Sequence, residues 1–163
     1  MIQSSRNLLP LWDYGWCDHE RITLSRCHSP KDVIDNYLCS NAFGTSFIGL
    51  ESDYTPGIHG PFKSSSISDS DFELVTPQRF QELIALINQS PAFTEPPSKG
   101  QWQSVQSLVS EMINRHKWLF RLCLTENDQD YFHDFGFILL IFREFIFANP
   151  NSEFVERLVF GYD

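Results

Sequence analysis

The chain has 163 residues, 42% of them hydrophobic and 15% aromatic, which is enough to bury one sizeable core and reads as a single globular domain over 1–163. Twenty-one acids against twelve bases give a net charge of −9, which argues against attraction to a phosphate backbone and suits a basic partner instead. The densest apolar run, 135–148, falls short of the roughly 18 residues a membrane helix needs and carries Arg143 and Glu144 in its middle, so no membrane contact is expected.

The first sixteen residues hold no uninterrupted apolar core and no small-residue cleavage site, so a mature chain starting near Met1 is expected, soluble and cytoplasmic. Cys17, Cys27, Cys39 and Cys123 are too sparse for a disulfide framework and read as reduced core thiols. Trp12, Tyr14 and Trp16 alternate, and Arg21 to Ser25 alternates again, which predicts one or two N-terminal strands. Ser29-Pro30 supplies an N-cap and a first-turn proline for a short helix with Val33, Ile34, Tyr37 and Leu38 on one face. A further strand is expected at Ser46 to Leu50. From about 52 to 70 the chain is rich in Pro, Gly and Ser, which predicts a long, mobile connection carrying Tyr54 and Phe62.

The middle of the chain is strongly periodic. Thr76-Pro77 caps a helix whose face is Phe80, Leu83, Ile84 and Ile87, and which ends before Ser90-Pro91. Ser98 to Gln101 has the spacing of a capping box and opens a second helix with a stripe of Trp102, Val105, Val109, Met112, Ile113 and His116. Trp118 to Leu124 alternates as a strand, and an acidic connection follows. Gly136 to Phe147 is read as a central strand buried on both faces, although Phe135, Ile138, Leu139, Phe142, Phe145 and Ile146 also share one helical face. The Asn149-Pro150-Asn151 turn decides for a hairpin, since Phe154, Leu158 and Phe160 beyond it fall on one side with Glu156 as the polar intruder. The predicted fold is α+β: a C-terminal three-stranded antiparallel sheet, extended by one or two N-terminal strands, with the two central helices packed on one face.

The chemical motifs fail one by one. Cys17, His19, Cys27, His28 and Cys39 lack the paired spacing of a zinc site, so no metal is assigned. Glu126, Asp128, Asp130 and Asp134 are spaced like a calcium loop, but Tyr131 stands where glycine is needed and Phe137 where a bidentate carboxylate belongs. Gly44 to Gly49 has the glycine spacing of a phosphate loop, but Leu50 and Glu51 follow instead of Lys and Ser/Thr. No Gly-x-Ser-x-Gly elbow occurs, and His59 in its Gly57 to Gly60 turn is a lone acid or base.

With no catalytic residue and no cofactor assigned, the expectation is a protein-binding module that neutralises or chaperones a basic protein partner. Its general character is that of toxin-neutralising immunity proteins, without any residue motif that ties it to them. The candidate contacts are Tyr54 and Phe62 as aromatic anchors, Asp69, Asp71 and Glu73 beside the long connection, and Glu126, Asp128 and Asp130 in the acidic turn. Two alternatives remain: an enzyme whose site is assembled from Cys17, His19, Cys27, His28 and His59, and a structural subunit of a homo-oligomer.

Overall fold

The computed structural model describes residues 6–11, 15–45, 47, 55–89 and 97–162. It is α+β, with a six-stranded antiparallel sheet and three α-helices among the described residues. The sheet strands are β1 (Arg6–Pro10), β2 (Gly15–Cys27), β5 (Phe72–Leu74), β6 (Trp118–Leu122), β7 (Ile141–Ala148) and β8 (Ser152–Tyr162), and a separate hairpin is made by β3 (Ile58–His59) and β4 (Phe62–Lys63). In the sheet the spatial order is β1-β2-β8-β7-β6-β5. The long pair β7–β8 forms the centre, in register from Phe147↔Glu156 to Ile141↔Tyr162, and β2 lies against the other side of β8.

The helices are α1 (Pro30–Leu38), α2 (Pro77–Asn88) and α3 (Lys99–Arg115). Each starts where its cap predicts. Ser29 accepts from the Asp32 amide, Thr76 from that of Arg79 and Ser98 from that of Gln101, and Ser29 and Ser98 complete full capping boxes.

Strand alternation sends residues to two cores, one on each face of the sheet. On one face Phe80, Ile84 and Ile87 of α2 and Val105, Val109 and Met112 of α3 meet Leu119, Phe145, Phe147, Leu158 and Phe160. Phe80 is fully buried, its ring edge-on to both Phe145 and Phe147. On the other face α1, Phe43, Phe47 and the β3–β4 hairpin cover Phe142, Ile146, Val155 and Val159.

Several sequence expectations are corrected. The strand read as Gly136 to Phe147 is shorter: Gly136–Ile138 is a 3₁₀ turn, and extended pairing begins at Ile141. Phe47 has φ of 55°, so the chain is not a regular strand there; the rest of the strand expected at Ser46 to Leu50, like Trp12, Tyr14 and Tyr54, lies outside the described residues. The described part of the supposed mobile connection, from Thr55 onward, is a hairpin and two 3₁₀ turns packed on the core. Phe62 is fully buried between Phe132 and Phe142, so it is no surface anchor, and His59 is likewise buried rather than exposed in a turn. Cys17 and Cys27 are buried free thiols, whereas Cys39 and Cys123 are exposed. No helix among the described residues is long and apolar enough to cross a membrane.

Candidate protein-binding surface

After β6 the chain turns back through residues 125–140 before entering β7. Asp128 caps the turn by accepting from the Thr125 amide at 2.7 Å, and Gln129–Tyr131 winds one 3₁₀ turn. Phe132 then pairs with Phe62 through an isolated bridge, which ties the segment to the β3–β4 hairpin.

His133 fastens the next step. Its Nδ1 accepts from the Phe135 amide at 3.1 Å, which leaves the proton on Nε2 to be donated to the Gly60 carbonyl at 2.9 Å. Its own amide donates to the Pro61 carbonyl. Gly136 follows, where an added Cβ would stand 2.1 Å from that same carbonyl, so only glycine allows the backbone this close.

The pinned backbone pushes its apolar side chains outward. Phe135 is 61% exposed, Phe137 67%, Ile138 38% and Leu140 50%, while Leu139 between them turns into the core. Single exposed apolar residues are ordinary, but four within six consecutive positions form a patch of the kind that marks an interaction site. Asp130 and Asp134, the two carboxylates that immediately precede the patch, are exposed and make no ion pair among the described residues.

The other acids singled out in the sequence have internal duties. Glu126 binds Arg143 at 2.8 Å; burial pushes its carboxyl up, but the Arg143 hydrogen bond and charge outweigh this and hold it below the usual range. Glu73 binds Arg121 at 2.7 Å and is held low by that hydrogen bond. Asp71 caps its own 3₁₀ turn at the Ser68 amide, and Asp69 lies 3.4 Å from Lys31 of α1. Glu73 and Glu126 thus flank one groove, whose lining includes their partners Arg121 and Arg143, while Asp69 and Asp71 stand apart near α1.

The cysteines and histidines do not converge. Burial pushes the Cys17 thiol well up, with the Asp18 charge adding to it, and Cys27 is raised by burial too. His28 bonds Asn151, and His19 bonds Glu156. Among the described residues no hydrogen bond joins Cys17 to His19 or Cys27 to His28, and no group of three or more His, Cys, Asp or Glu side chains is placed to hold a metal.

His59 belongs to a buried network that the sequence did not announce. Its Nδ1 meets the Phe43 carbonyl and its Nε2 meets Glu144 at 2.5 Å; Glu144 also accepts from the Tyr37 hydroxyl. Arg157 then donates to Tyr37 at 3.1 Å, to the Ala42 carbonyl and to Glu20 at 2.6 Å. These groups are satisfied by one another, so the network holds α1 and the loops onto the sheet and offers no free nucleophile.

The signal for the apolar patch was present in the sequence but misassigned. The hydrophobicity of Gly136 to Leu140 reads as strand, because nothing local distinguishes an exposed apolar turn from the start of a buried strand. No family model matches this chain, and neither a curated protein nor a solved structure matches it.

Proposed function

We propose that this chain is an acidic protein-binding module that neutralises or chaperones a basic protein partner, in the general manner of immunity proteins. One observation carries the reading: Phe135, Phe137, Ile138 and Leu140 are displayed on a backbone fixed by His133 and Gly136, with the exposed Asp130 and Asp134 shortly before them in the chain. A rigid apolar centre with a charged rim is the anatomy of a binding hot spot. Fixing the backbone beforehand also lowers the ordering cost of association. The unpaired carboxylates supply the preference for a basic surface.

The test is capture from the native host at low and moderate salt, comparing the native chain with Phe137→Ser, with Asp130→Asn/Asp134→Asn, and with Asp69→Asn/Asp71→Asn/Glu73→Gln. The expected result is a stoichiometric basic protein, bound at least about tenfold more weakly by Phe137→Ser, the loss expected for a hot-spot residue. Neutralising Asp130 and Asp134 should flatten the salt dependence. Retention of the partner by both of these variants, with loss on neutralising Asp69, Asp71 and Glu73, would move the face to α1 and β5. A partnerless chain that self-associates through Phe137 would instead make it a subunit of a homo-oligomer.

A further inference from the structure

The outer surface of the two central helices carries a feature independent of the apolar patch. Between α2 and α3 runs a groove of about 290 Å³, at the lower end of the size range of small-ligand sites. Its apolar lining is Ile84 and Ala85 of α2 with Trp102 and Val109 of α3. Its polar lining is Gln81, Asn88 and Gln89 from one helix and its C-cap, with Gln106 and Ser110 from the other. Helical spacing puts these residues on two facing stripes. No charged side chain lines the groove among the described residues. Between Lys99 and Glu111 the exposed side chains of α3 are Gln103, Ser104, Gln106, Ser107 and Ser110, where a surface helix usually carries charge.

The fold does not use these polar groups. Among the described residues the side chains of Gln81, Gln89, Gln106 and Ser110 make no hydrogen bond, and all four are exposed. Asn88 differs, because its Oδ1 is buried and has no hydrogen-bond partner. Folding has taken this acceptor from water and given it no donor. A position that only had to pack would be better filled by alanine, which has the higher helix propensity and no polar atom to bury. The Trp102 ring is half-buried against the core beneath the helices, and no second aromatic ring packs on it among the described residues.

We infer that this groove binds a neutral saccharide, one pyranose ring lying with its C–H face on the Trp102 indole and its hydroxyls on the surrounding amides. A carboxamide offers two donors and an acceptor, and a sugar hydroxyl is itself both donor and acceptor, so the two match without any charge. The electron-rich face of an indole attracts the weakly positive C–H bonds of a sugar ring. A ligand hydroxyl supplies the donor that Asn88 Oδ1 lacks once its carboxamide turns toward the groove. A nucleotide or an acidic saccharide would bring an anion to a site without a cation, in a chain of net charge −9. A purely apolar ligand would cover the amides and leave them unsatisfied.

The experiment titrates the full chain with the methyl glycosides of glucose, galactose, mannose and N-acetylglucosamine, with glucuronate as the charged control and adenosine as the nucleobase control. Saturation-transfer NMR reads affinity, and the indole N–H signal of Trp102, assigned by its absence in Trp102→Leu, reads location. The expected result is at least one glycoside bound with a Kd below about 10 mM, with the Trp102 signal moving and glucuronate and adenosine each at least about tenfold weaker. Asn88→Ala is expected to keep the thermal midpoint at or above native, since it removes an unsatisfied acceptor, and yet to weaken binding by about tenfold. Trp102→Leu, which keeps apolar contact with the core but loses the ring plane, should weaken it by a similar factor. Phe137→Ser should leave binding unchanged, which separates this groove from the exposed patch. Failure of all four glycosides to bind below about 10 mM, adenosine or glucuronate binding as tightly as the best of them, an unmoved Trp102 signal, or unchanged affinity in folded Asn88→Ala or Trp102→Leu would each overturn the inference.

Discussion

Glu156 projects from β8 toward the C-terminal end of α3 with its side chain 2% exposed, and two imidazoles and two guanidiniums close on it. His19 Nε2 is 3.2 Å from Oε1 and His116 Nε2 is 2.8 Å from Oε2, with Arg21 at 3.5 Å and Arg115 at 3.6 Å. Burial opposes ionisation here, but the contacts with His116 and His19 and the charge of Arg115 outweigh it, so the carboxyl is held far below its ordinary value of 4.5. Glu144 is depressed in the same way, burial being overcome by His59 and Arg157. A carboxyl whose folded pKa lies below its unfolded one contributes stability that is fully present above the unfolded value and is lost as pH falls toward the folded one. The thermal midpoint of the native chain is therefore expected to fall steeply as pH drops below about 4.5. Glu156→Gln should cost about 3 kcal/mol at neutral pH, because it leaves the surrounding bases uncompensated, and should flatten the acid limb; Glu144 supplies the slope that remains. Thermal melts of both chains across the acid range check this, and an equally steep fall in Glu156→Gln would show that Glu156 is not the group being titrated.

At the scale of elements, the caps and stripes made α1, α2 and α3 legible because helix signals are local: Ser29, Thr76 and Ser98 each bond an amide three residues on. The β7–β8 hairpin was legible for the same reason, since its turn residues lie between the two strands. What the sequence concealed is long-range. Gly136 ends the apolar run as a strand because the Pro61 carbonyl arrives from a hairpin seventy-five residues earlier, and no window around Gly136 contains that information. The same holds for Phe62 and His59, whose burial depends on β7 lying beneath them, and for Glu144, a charge inside an apolar run whose partners His59 and Tyr37 come from distant parts of the chain. Two glycine substitutions separate the local from the long-range case. Gly136→Ala drives a Cβ into the Pro61 carbonyl and is expected to cost about 2 kcal/mol and to displace the Phe135–Leu140 patch. Gly100→Ala, in the first turn of α3 with nothing within 4 Å of the new Cβ, is expected to stabilise by up to about 1 kcal/mol through the unfolded chain and helix propensity. Urea unfolding of the two variants should move in opposite directions; a neutral Gly136→Ala would mean that the turn can relax away from the hairpin.

For the molecule as a whole, the layout of the sheet restricts how a partner can dock. An antiparallel sheet invites strand addition at its edges, and both edges here are blunted. On one side β5 is only three residues long; on the other β1 ends in Pro10, which has no amide hydrogen to donate. The centre of the sheet is covered on one face by α2 and α3 and on the other by α1 and the β3–β4 hairpin. Among the described residues, the turn that precedes β7 is where several apolar side chains stand out within a few consecutive positions, and this is the face the proposed partner would take. Amide exchange of the proposed complex should accordingly show new protection within 129–140, with residues 6–10 and 72–74 exchanging as they do in the free chain. Steering by the net charge of −9 should make the association rate fall with salt more than the dissociation rate rises, because the carboxylates act on approach and the apolar centre on residence. Protection appearing along 6–10 or 72–74 would mean that the partner adds a strand to an edge despite Pro10 and the shortness of β5. In that case the exposed phenylalanines would have to be explained without the partner.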